Sequence, residues 1–373
     1  MAIDRRAFIR LGLGGLLLGP AMAMAGTGAG RQRLLGCRSD DRGGHFLSMV
    51  DVDGGRLMDV ALPGRGHGVA VDPMQRRAAV FARRPGTFVW IVDLASGQVS
   101  HRIAAVSGRH FYGHGQFTPD GTRLLCSENA YASGEGVIGV YDAGNSYRRT
   151  DELPSHGVGP HEIRLLADGN TLVIANGGIR THPDLPRVKS NLAGMRPNLA
   201  YVDVASGRLL QRHEPEEQWH QLSIRHIDVS PDDRVAVAMQ FEGRPELFPP
   251  LIAIQHGKQP MRLLSAPDAV QRRLRNYCGS VTFDAEGLRF AVSSPRGGVV
   301  TFWSAGGDYL GLYEQADACG IGRTAADGYG FVVSDGNGGV AGIDRVLAVS
   351  DHRVFAGYRW DNHLLALSDL QGR

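Results

Sequence analysis

Cysteine is scarce in this chain, with four residues among 373. None of them stands in a Cys-x-x-Cys-His motif, so a covalently attached c-type haem is excluded. Long apolar runs are also missing. A membrane-spanning helix needs about 18–20 consecutive apolar residues, and the longest run, within residues 1–25, has only about nine. We therefore expect no membrane span in the mature chain.

The chain also lacks an excess of either charge. Its formal charge is +2, and beyond residue 25 it carries 37 basic and 37 acidic side chains. This balance excludes nucleic acid and anionic membranes as expected partners. Catalytic signatures are absent too: there is no Gly-x-Ser-x-Gly, His-Glu-x-x-His, phosphate loop or dinucleotide fingerprint. The sequence thus indicates no nucleophile and no acid–base pair.

The first 25 residues are predicted to be an export signal rather than part of the fold. Asp4-Arg-Arg-Ala-Phe-Ile-Arg10 precedes a short apolar run, and Ala21-Met-Ala-Met-Ala25 resembles a cleavage site. Paired arginines are typical of a twin-arginine (Tat) signal, which exports folded cargo, so we expect a periplasmic protein. Residues 26–373 are then predicted to form one domain. Leu34-Leu-Gly-Cys37 resembles a lipidation box, but Arg31 and Arg33 separate it from the apolar run.

Glycine is abundant, with 51 residues, which is typical of a turn-rich, all-β chain. A strand that ends in a polar residue before a turn recurs seven times, at intervals of 40 to 61 residues. Its last residues are Asp51, Asp93, Asp142, Asp203, Gln255, Ser304 and Asp344. This period predicts a seven-bladed β-propeller with four strands per blade. Six or eight blades remain as alternatives.

The N-terminal segment from Leu34 to Leu62 supplies three strands and lacks a first one. We therefore predict that the C-terminal stretch Tyr358–Ser368 completes this blade and closes the ring, which removes free sheet edges.

A histidine or cysteine stands near the start of every predicted first strand, the strand that lines the channel of a propeller. These candidate metal ligands are His67, His114, His161, His226, His363, Cys278 and Cys319. Imidazole and thiolate are ligands of zinc, copper and iron, so their convergence would form a metal site. Two alternatives stay open: the histidines bond neighbouring turns, or they bind substrate and transfer protons. Cys278 and Cys319 would form a disulfide, ligate metal or remain free thiols.

The long polar loops after the second strands, with the segments that enter the first strands, are expected at the same channel mouth. Their candidate ligand-binding residues are Arg83, Arg84, His110, Tyr112, Glu128, His156, Asn176, Arg180, His182, His220, Arg225 and Arg296. Binding residues commonly lie on loops held by a rigid scaffold. The set predicts a polar mouth that accepts a metal or an anion.

Four blocks of sequence resemble a known family: Arg109–Gly115, Ser155–Glu162, Asn176–Pro183 and Leu222–His226. It is the uncharacterised Tat-exported propeller family of proteobacteria, and the resemblance covers essentially the whole mature chain. Members are typically encoded beside imelysin-like peptidases and a di-haem protein, in clusters linked to iron supply. The resemblance implies a periplasmic component of an iron-related system, with a peptidase-like or haem protein as its partner. The family has no mapped site, so no catalytic residue is implied.

Three functions follow as hypotheses. The first is a monomeric, non-enzymatic binding protein or scaffold that holds iron or copper at the His/Cys mouth. The second is a metal- or haem-dependent oxidoreductase that uses the same mouth. The third is a protein-interaction platform with structural histidines.

Overall fold

The computed structural model describes residues 32–52, 54–185, 188–324 and 329–367. The predicted export signal lies outside the described residues. Within these ranges the chain forms seven four-stranded antiparallel sheets, arranged as the blades of a β-propeller. The predicted all-β fold and the blade number are confirmed. No helix of the described residues is long and apolar enough to cross a membrane.

The first blade begins with three strands from the N-terminal segment. They are β1 (Arg33–Ser39), β2 (His45–Asp51) and β3 (Arg56–Leu62). The second blade contains β4 (Gly66–Val71), β5 (Arg77–Ala82), β6 (Phe88–Asp93) and β7 (Val99–Ala104). The third contains β8 (Arg109–Phe117), β9 (Arg123–Ala130), β10 (Glu135–Asp142) and β11 (Arg148–Pro154).

The fourth and fifth blades follow the same order. They comprise β12 (Pro160–Leu165), β13 (Thr171–Asn176), β14 (Asn198–Asp203) and β15 (Leu209–His213), then β16 (Leu222–Val229), β17 (Arg234–Phe241), β18 (Ile252–His256) and β19 (Arg262–Leu264). Two 3-10 turns, Leu192–Gly194 and Glu217–Trp219, lie in the connections. Helix α1 (Asp268–Arg273) precedes the sixth blade.

The sixth and seventh blades complete the chain before the closing strand. They comprise β20 (Ser280–Phe283), β21 (Arg289–Ser294), β22 (Val299–Ser304) and β23 (Tyr309–Glu314), then β24 (Ala318–Arg323), β25 (Tyr329–Asp335), β26 (Gly339–Asp344) and β27 (Val349–Val354). The last strand, β28 (Arg359–Leu367), pairs with β1, giving the order β28-β1-β2-β3. The predicted closure of the ring is therefore confirmed.

The repeated polar residue at the end of each third strand has a local cause. The Asp93 carboxylate accepts hydrogen bonds from the backbone N–H and the hydroxyl of Ser96, at 2.8 and 2.7 Å. Gly97 follows with φ of +71°, a conformation that glycine adopts without strain. Asp203 and Ser206 repeat the arrangement. This turn fixes the register of the third and fourth strands, so the repeat is readable in the sequence.

The apolar core lies between the blades, where neighbouring sheets pack face to face. One buried cluster contains Phe81 of the second blade together with Phe111 and Tyr141 of the third. The first strand of each blade is innermost, and neighbouring inner strands pack against one another around the axis. Side chains of β4, β8, β12, β16 and β28 are therefore able to meet in the channel.

Candidate metal centre and anion cavity

Five histidines meet on the propeller axis, each from a different innermost strand. We call His67, His114, His161, His226 and His363 the histidine cluster. The ring centroids of His114 and His363 are 4.6 Å apart, and nine pairs within the cluster lie within 6.4 Å. His67, His114, His161 and His226 are each at most 5% exposed, and His363 is half-buried. Five of the seven predicted ligands thus come together.

Backbone irregularities turn these histidines toward the axis. In β4, His67 and Gly68 together oppose the single residue Phe81 of the next strand. In β12, His161 and Glu162 together oppose Ala175. Register shifts of other forms occur before Gly115 in β8, before His226 in β16 and before Leu364 in β28. A β-bulge re-aims a side chain and twists its strand, so each histidine leaves the regular alternation of the sheet.

Two sets of histidines are close enough to share an ion. His67, His114 and His161 form one set, in which the ligand nitrogens lie within 4.8 Å of one another. His114, His226 and His363 form the second set under the same limit. Ligand nitrogens around a tetrahedral ion lie about 3.4 Å apart, given metal–nitrogen distances of about 2.0–2.1 Å. The rings would therefore have to close by about 1 Å around an ion. His114 belongs to both sets, which favours one ion per chain.

Several ring nitrogens of the cluster have no hydrogen-bond partner. His114 Nε2, His161 Nδ1 and His363 Nε2 are buried among the described residues without one. A buried polar atom without a partner costs free energy, and proteins retain few of them. A metal ion would satisfy the lone pairs of these nitrogens. The residues present therefore fit a transition metal.

The remaining two histidines are oriented by carboxylates. His67 Nδ1 lies 2.8 Å from Asp361 Oδ1, and His226 Nδ1 lies 3.2 Å from Glu162 Oε2. An ionised carboxylate only accepts hydrogen bonds, so each histidine donates from Nδ1 and leaves Nε2 as an acceptor. Carboxylate–histidine pairs of this kind fix the tautomer of metal-binding histidines in general.

Burial sets the charge state of the cluster. It lowers the pKa of all five histidines below the ordinary value, against the opposing effect of Asp361 on His67 and of Glu162 on His226. Burial also disfavours the ionised form of Glu162, but Arg164, at 2.5 Å, and the nearby histidines hold its pKa well below its usual range. Asp361 stays ionised in the same way, beside His67 and Arg65. The rings are thus neutral ligands flanked by two carboxylates.

The two cysteines of the predicted ligand set lie apart from these groups. Neither thiol joins a set of three ligand atoms among the described residues. Cys278 packs in an apolar cluster before β20, which pairs with β21 without a register shift. The Cys319 thiol donates to the backbone carbonyls of Asp317 and Trp360. All four cysteines are buried and free, so no disulfide joins Cys278 to Cys319.

A cavity of about 210 Å³ opens on one side of the histidine cluster, lined in part by His67, His161 and His226. Five of the twelve predicted mouth residues line it: Arg83, Arg84, Tyr112, Arg225 and Arg296. Lys189, Gln240, Glu242, Tyr277 and Asn362, which sequence reasoning missed, complete it. We call it the arginine cavity. A second cavity, of about 470 Å³, lies against His114 and His363, so the cluster borders both cavities.

Three other predicted mouth residues have structural partners instead. His110 is buried, with Nδ1 3.1 Å from the Phe111 carbonyl and Nε2 accepting from Asn129. Glu128 is buried within its blade and accepts from Tyr141 and Arg149. The Asn176 amide donates to the Ser155 carbonyl and the Asn198 side chain.

The last four lie away from the arginine cavity. His156 Nε2 contacts the Gly207 carbonyl at 2.8 Å, and His220 Nδ1 lies 3.0 Å from the Glu217 carbonyl. Arg180 and His182 line a separate surface groove with Tyr131. Sequence position alone predicts the end of the blade at which a loop lies. It does not predict the distance of that loop from the propeller axis.

Two functional candidates were missed among the carboxylates. Glu162 directly follows His161, and Asp361 precedes His363 by two residues. Two is the side-chain period of a strand, so Asp361 offered a signal for a residue on the face of His363. Their partners, His226 and His67, come from other blades, and only the closed ring brings them together.

The fold and the site together define a seven-bladed β-propeller whose channel is filled by imidazoles. The chain belongs to the family described as "Protein of unknown function (DUF1513)", which matches residues 60–367. Among solved structures, the chain is similar to Kuenenia stuttgartiensis hydrazine synthase, with 16% identity and a TM-score of 0.59. The alignment covers 86% of this chain and 94% of that one, and it shows a shared fold. A search of curated protein sequences gives no match.

Proposed function

We propose that this propeller is a periplasmic binding protein that holds one transition-metal ion, iron or copper, in the histidine cluster. The observation that carries the proposal is the convergence of five imidazoles, three of which have a buried nitrogen without a partner. Neutral imidazole suits copper, iron, nickel and zinc, whereas calcium and magnesium prefer oxygen ligands. The iron-related role and a peptidase-like or haem partner rest on the family resemblance alone.

The orienting carboxylates support metal binding over a purely structural role. A structural histidine would use both ring nitrogens in hydrogen bonds, as His110 does with Phe111 and Asn129. Among the described residues, His67 and His226 instead have a hydrogen-bond partner at Nδ1 alone, Asp361 and Glu162 respectively. The negative charges would also stabilise a cation beside them.

The proposal is tested by elemental analysis of protein exported through the Tat pathway and purified without chelator or an affinity histidine tag. We expect one equivalent of iron or copper per chain. The double variant His114→Ala/His226→Ala removes at least one ligand from each set and should lose the metal. The matched control is His182→Ala/His220→Ala, which replaces one exposed and one half-buried histidine outside the cluster and should retain the metal. If the chain stays metal-free after reconstitution with Fe(II), Cu(II) and Zn(II), the proposal is wrong.

A metal-dependent oxidoreductase is a second candidate, and the arginine cavity is the observation that favours it. The cavity reaches His67, His161 and His226, so a small molecule would have access to one side of a bound ion. Turnover of a redox dye by the metal-loaded protein, lost in His114→Ala/His226→Ala, would support this candidate. Stoichiometric metal without turnover would support the binding protein.

A further inference from the structure

The arginine cavity carries a large excess of positive charge. Its charged side chains, apart from the histidines, are Arg83, Arg84, Lys189, Arg225, Arg296 and Glu242. Glu242 is paired with Lys189, and Arg83 lies 3.8 Å from Asp361. Arg84, Arg225 and Arg296 have no carboxylate partner within 4.0 Å among the described residues. Three cations beside the cluster thus lack a counter-charge from the protein.

Arg225 is the most unusual of the three, because it is buried. It is 6% exposed, and its Nε atom has no hydrogen-bond partner. Burial and the neighbouring Arg84 lower its pKa to about 10. Other guanidinium groups around the channel are neutralised: Arg164 by Glu162, and Arg323 by Asp228. A buried arginine without a partner requires a charge from elsewhere, since an unpaired charge is strongly disfavoured away from water.

The positions of the cations indicate the shape of that ligand. Arg83 and Arg84 follow β5 in the second blade, whereas Arg225 is in β16 of the fifth blade and Arg296 follows β21 of the sixth. In a ring of seven, the fifth and sixth blades lie across the axis from the second. Charges on opposite walls suit a ligand with separated anionic groups better than one compact ion. A guanidinium fork matches the planar geometry of a carboxylate.

The size of the cavity limits the ligand further. A volume of 210 Å³ corresponds to about seven water molecules at about 30 Å³ each. Pockets for drug-sized molecules are about 300–1,000 Å³, so the cavity suits a small anion better than a nucleotide or a folded peptide segment.

We propose that the arginine cavity binds a small di- or tricarboxylate anion, held between Arg84 on one wall and Arg225 and Arg296 on the other, against the histidine cluster. Carboxylate oxygens are themselves metal ligands, so the anion would contact the guanidinium groups and the ion together. The contact with the ion rests on the proposed function, whereas binding of the anion depends only on the cations. The ligand would also supply the counter-charge that Arg225 lacks.

Isothermal titration calorimetry with citrate and succinate, on metal-free and metal-loaded protein, tests this inference. Inorganic phosphate and acetate are the comparison anions. We expect citrate to bind metal-free protein and to bind at least tenfold more weakly to Arg225→Met and to Arg296→Ala. Arg296 is exposed, so its variant keeps the test valid if Arg225→Met does not fold. Arg180→Ala, an exposed arginine outside the cavity, is the matched control and should bind like the wild type.

The outcomes separate the two proposals. Citrate binding that depends on Arg296, in a protein that never retains metal, would support the carboxylate site. The same result would overturn the proposal of a metal-binding protein. Absence of binding by both citrate and succinate, or binding that both arginine variants retain, would overturn the carboxylate site. Phosphate binding in place of citrate would overturn the assignment to a carboxylate. Tighter citrate binding to the metal-loaded wild type is the result expected if both proposals hold.

Discussion

His67 and Asp361 are 294 positions apart in the chain, yet His67 Nδ1 lies 2.8 Å from Asp361 Oδ1. Asp361 also accepts from Arg65 Nε at 2.6 Å. The bond therefore links the first strand of the second blade to the closing strand β28. The histidine cluster and the closure of the ring depend on the same contact.

Replacement of Asp361 by asparagine should weaken metal binding without removing a ligand. The carboxylate fixes the tautomer of His67, and loss of such a partner typically costs about 10- to 100-fold in metal affinity. Competition with a chelator of known affinity measures the change. The control is Asp59→Asn, which removes a carboxylate paired with Arg38 far from the axis. Equal affinity in the two variants would contradict the orienting role of Asp361.

The cysteines should be dispensable for metal binding. Burial raises the pKa of the Cys278 thiol to about 12 and raises that of Cys319 well above its ordinary value. We therefore expect Cys278→Ala and Cys319→Ala to retain the wild-type metal content. Neither thiol should react with a thiol reagent until the protein unfolds, because the thiolate is the reactive form. Loss of metal in either variant would restore the cysteines to the ligand set.

A methyl group at position 68 should disturb the cluster through the backbone. A Cβ on Gly68 would lie 2.5 Å from the Gly113 carbonyl oxygen and 3.0 Å from His114 Nδ1. Gly68→Ala should destabilise the fold by about 1–3 kcal/mol, the usual cost of overpacking, and should displace His114. Denaturant unfolding and metal content measure the two effects. Gly64→Ala is the matched control, because its nearest neighbour, Phe88, is 3.7 Å away.

The metal-free protein should lose stability as the pH falls below about 6.5. Burial lowers the pKa of the five histidines in the fold, so the unfolded chain takes up protons first, near the ordinary value of 6.5. More protons in the unfolded state mean that the free energy of unfolding rises with pH. Each neutral histidine contributes up to about 1.4 kcal/mol per pH unit until the pH reaches its folded pKa.

Denaturant unfolding between pH 5 and 8 measures this slope. In the variant His363→Asn, the free energy of unfolding should rise less steeply with pH, by the equivalent of about one bound proton. The fold lowers the pKa of Asp361 and of Glu162, so these carboxylates are protonated only in a separate, more acidic pH range. Their protonation there removes stabilising contacts and lowers the free energy of unfolding further. An unchanged slope in His363→Asn would indicate that the His363 imidazole is already protonated in the folded wild type.

The propeller could be predicted from the sequence because its repeat is local. The turn after Asp93 is built from residues within four positions and is repeated after Asp203, so its pattern survives as a short motif. Closure by β28 followed from counting strands. The five histidines were found for a similar reason, since each one lies in the inner strand of its blade, although His114, His226 and His363 stand in mid-strand and not near its start.

The rest of the site depends on geometry that no short motif contains. The bulges at His67 and His161 turn these side chains toward the axis, yet Cys319 lies in a bulge of the same form and stays outside the ligand sets. Cys278 precedes an inner strand without a bulge. Arg225 and Arg180 both belong to the predicted mouth, but only Arg225 reaches the cavity. Asp361 gains its role from a residue at the other end of the domain.

The closing strand β28 supplies both His363 and Asp361. A chain that has not yet placed this strand holds neither the complete second set of ligands nor the partner that orients His67. A high-affinity site would therefore exist only in the finished ring, so metal uptake would report that synthesis and folding of the whole domain are complete. An unfinished or clipped chain would release its metal, and metal loading would distinguish intact molecules from defective ones.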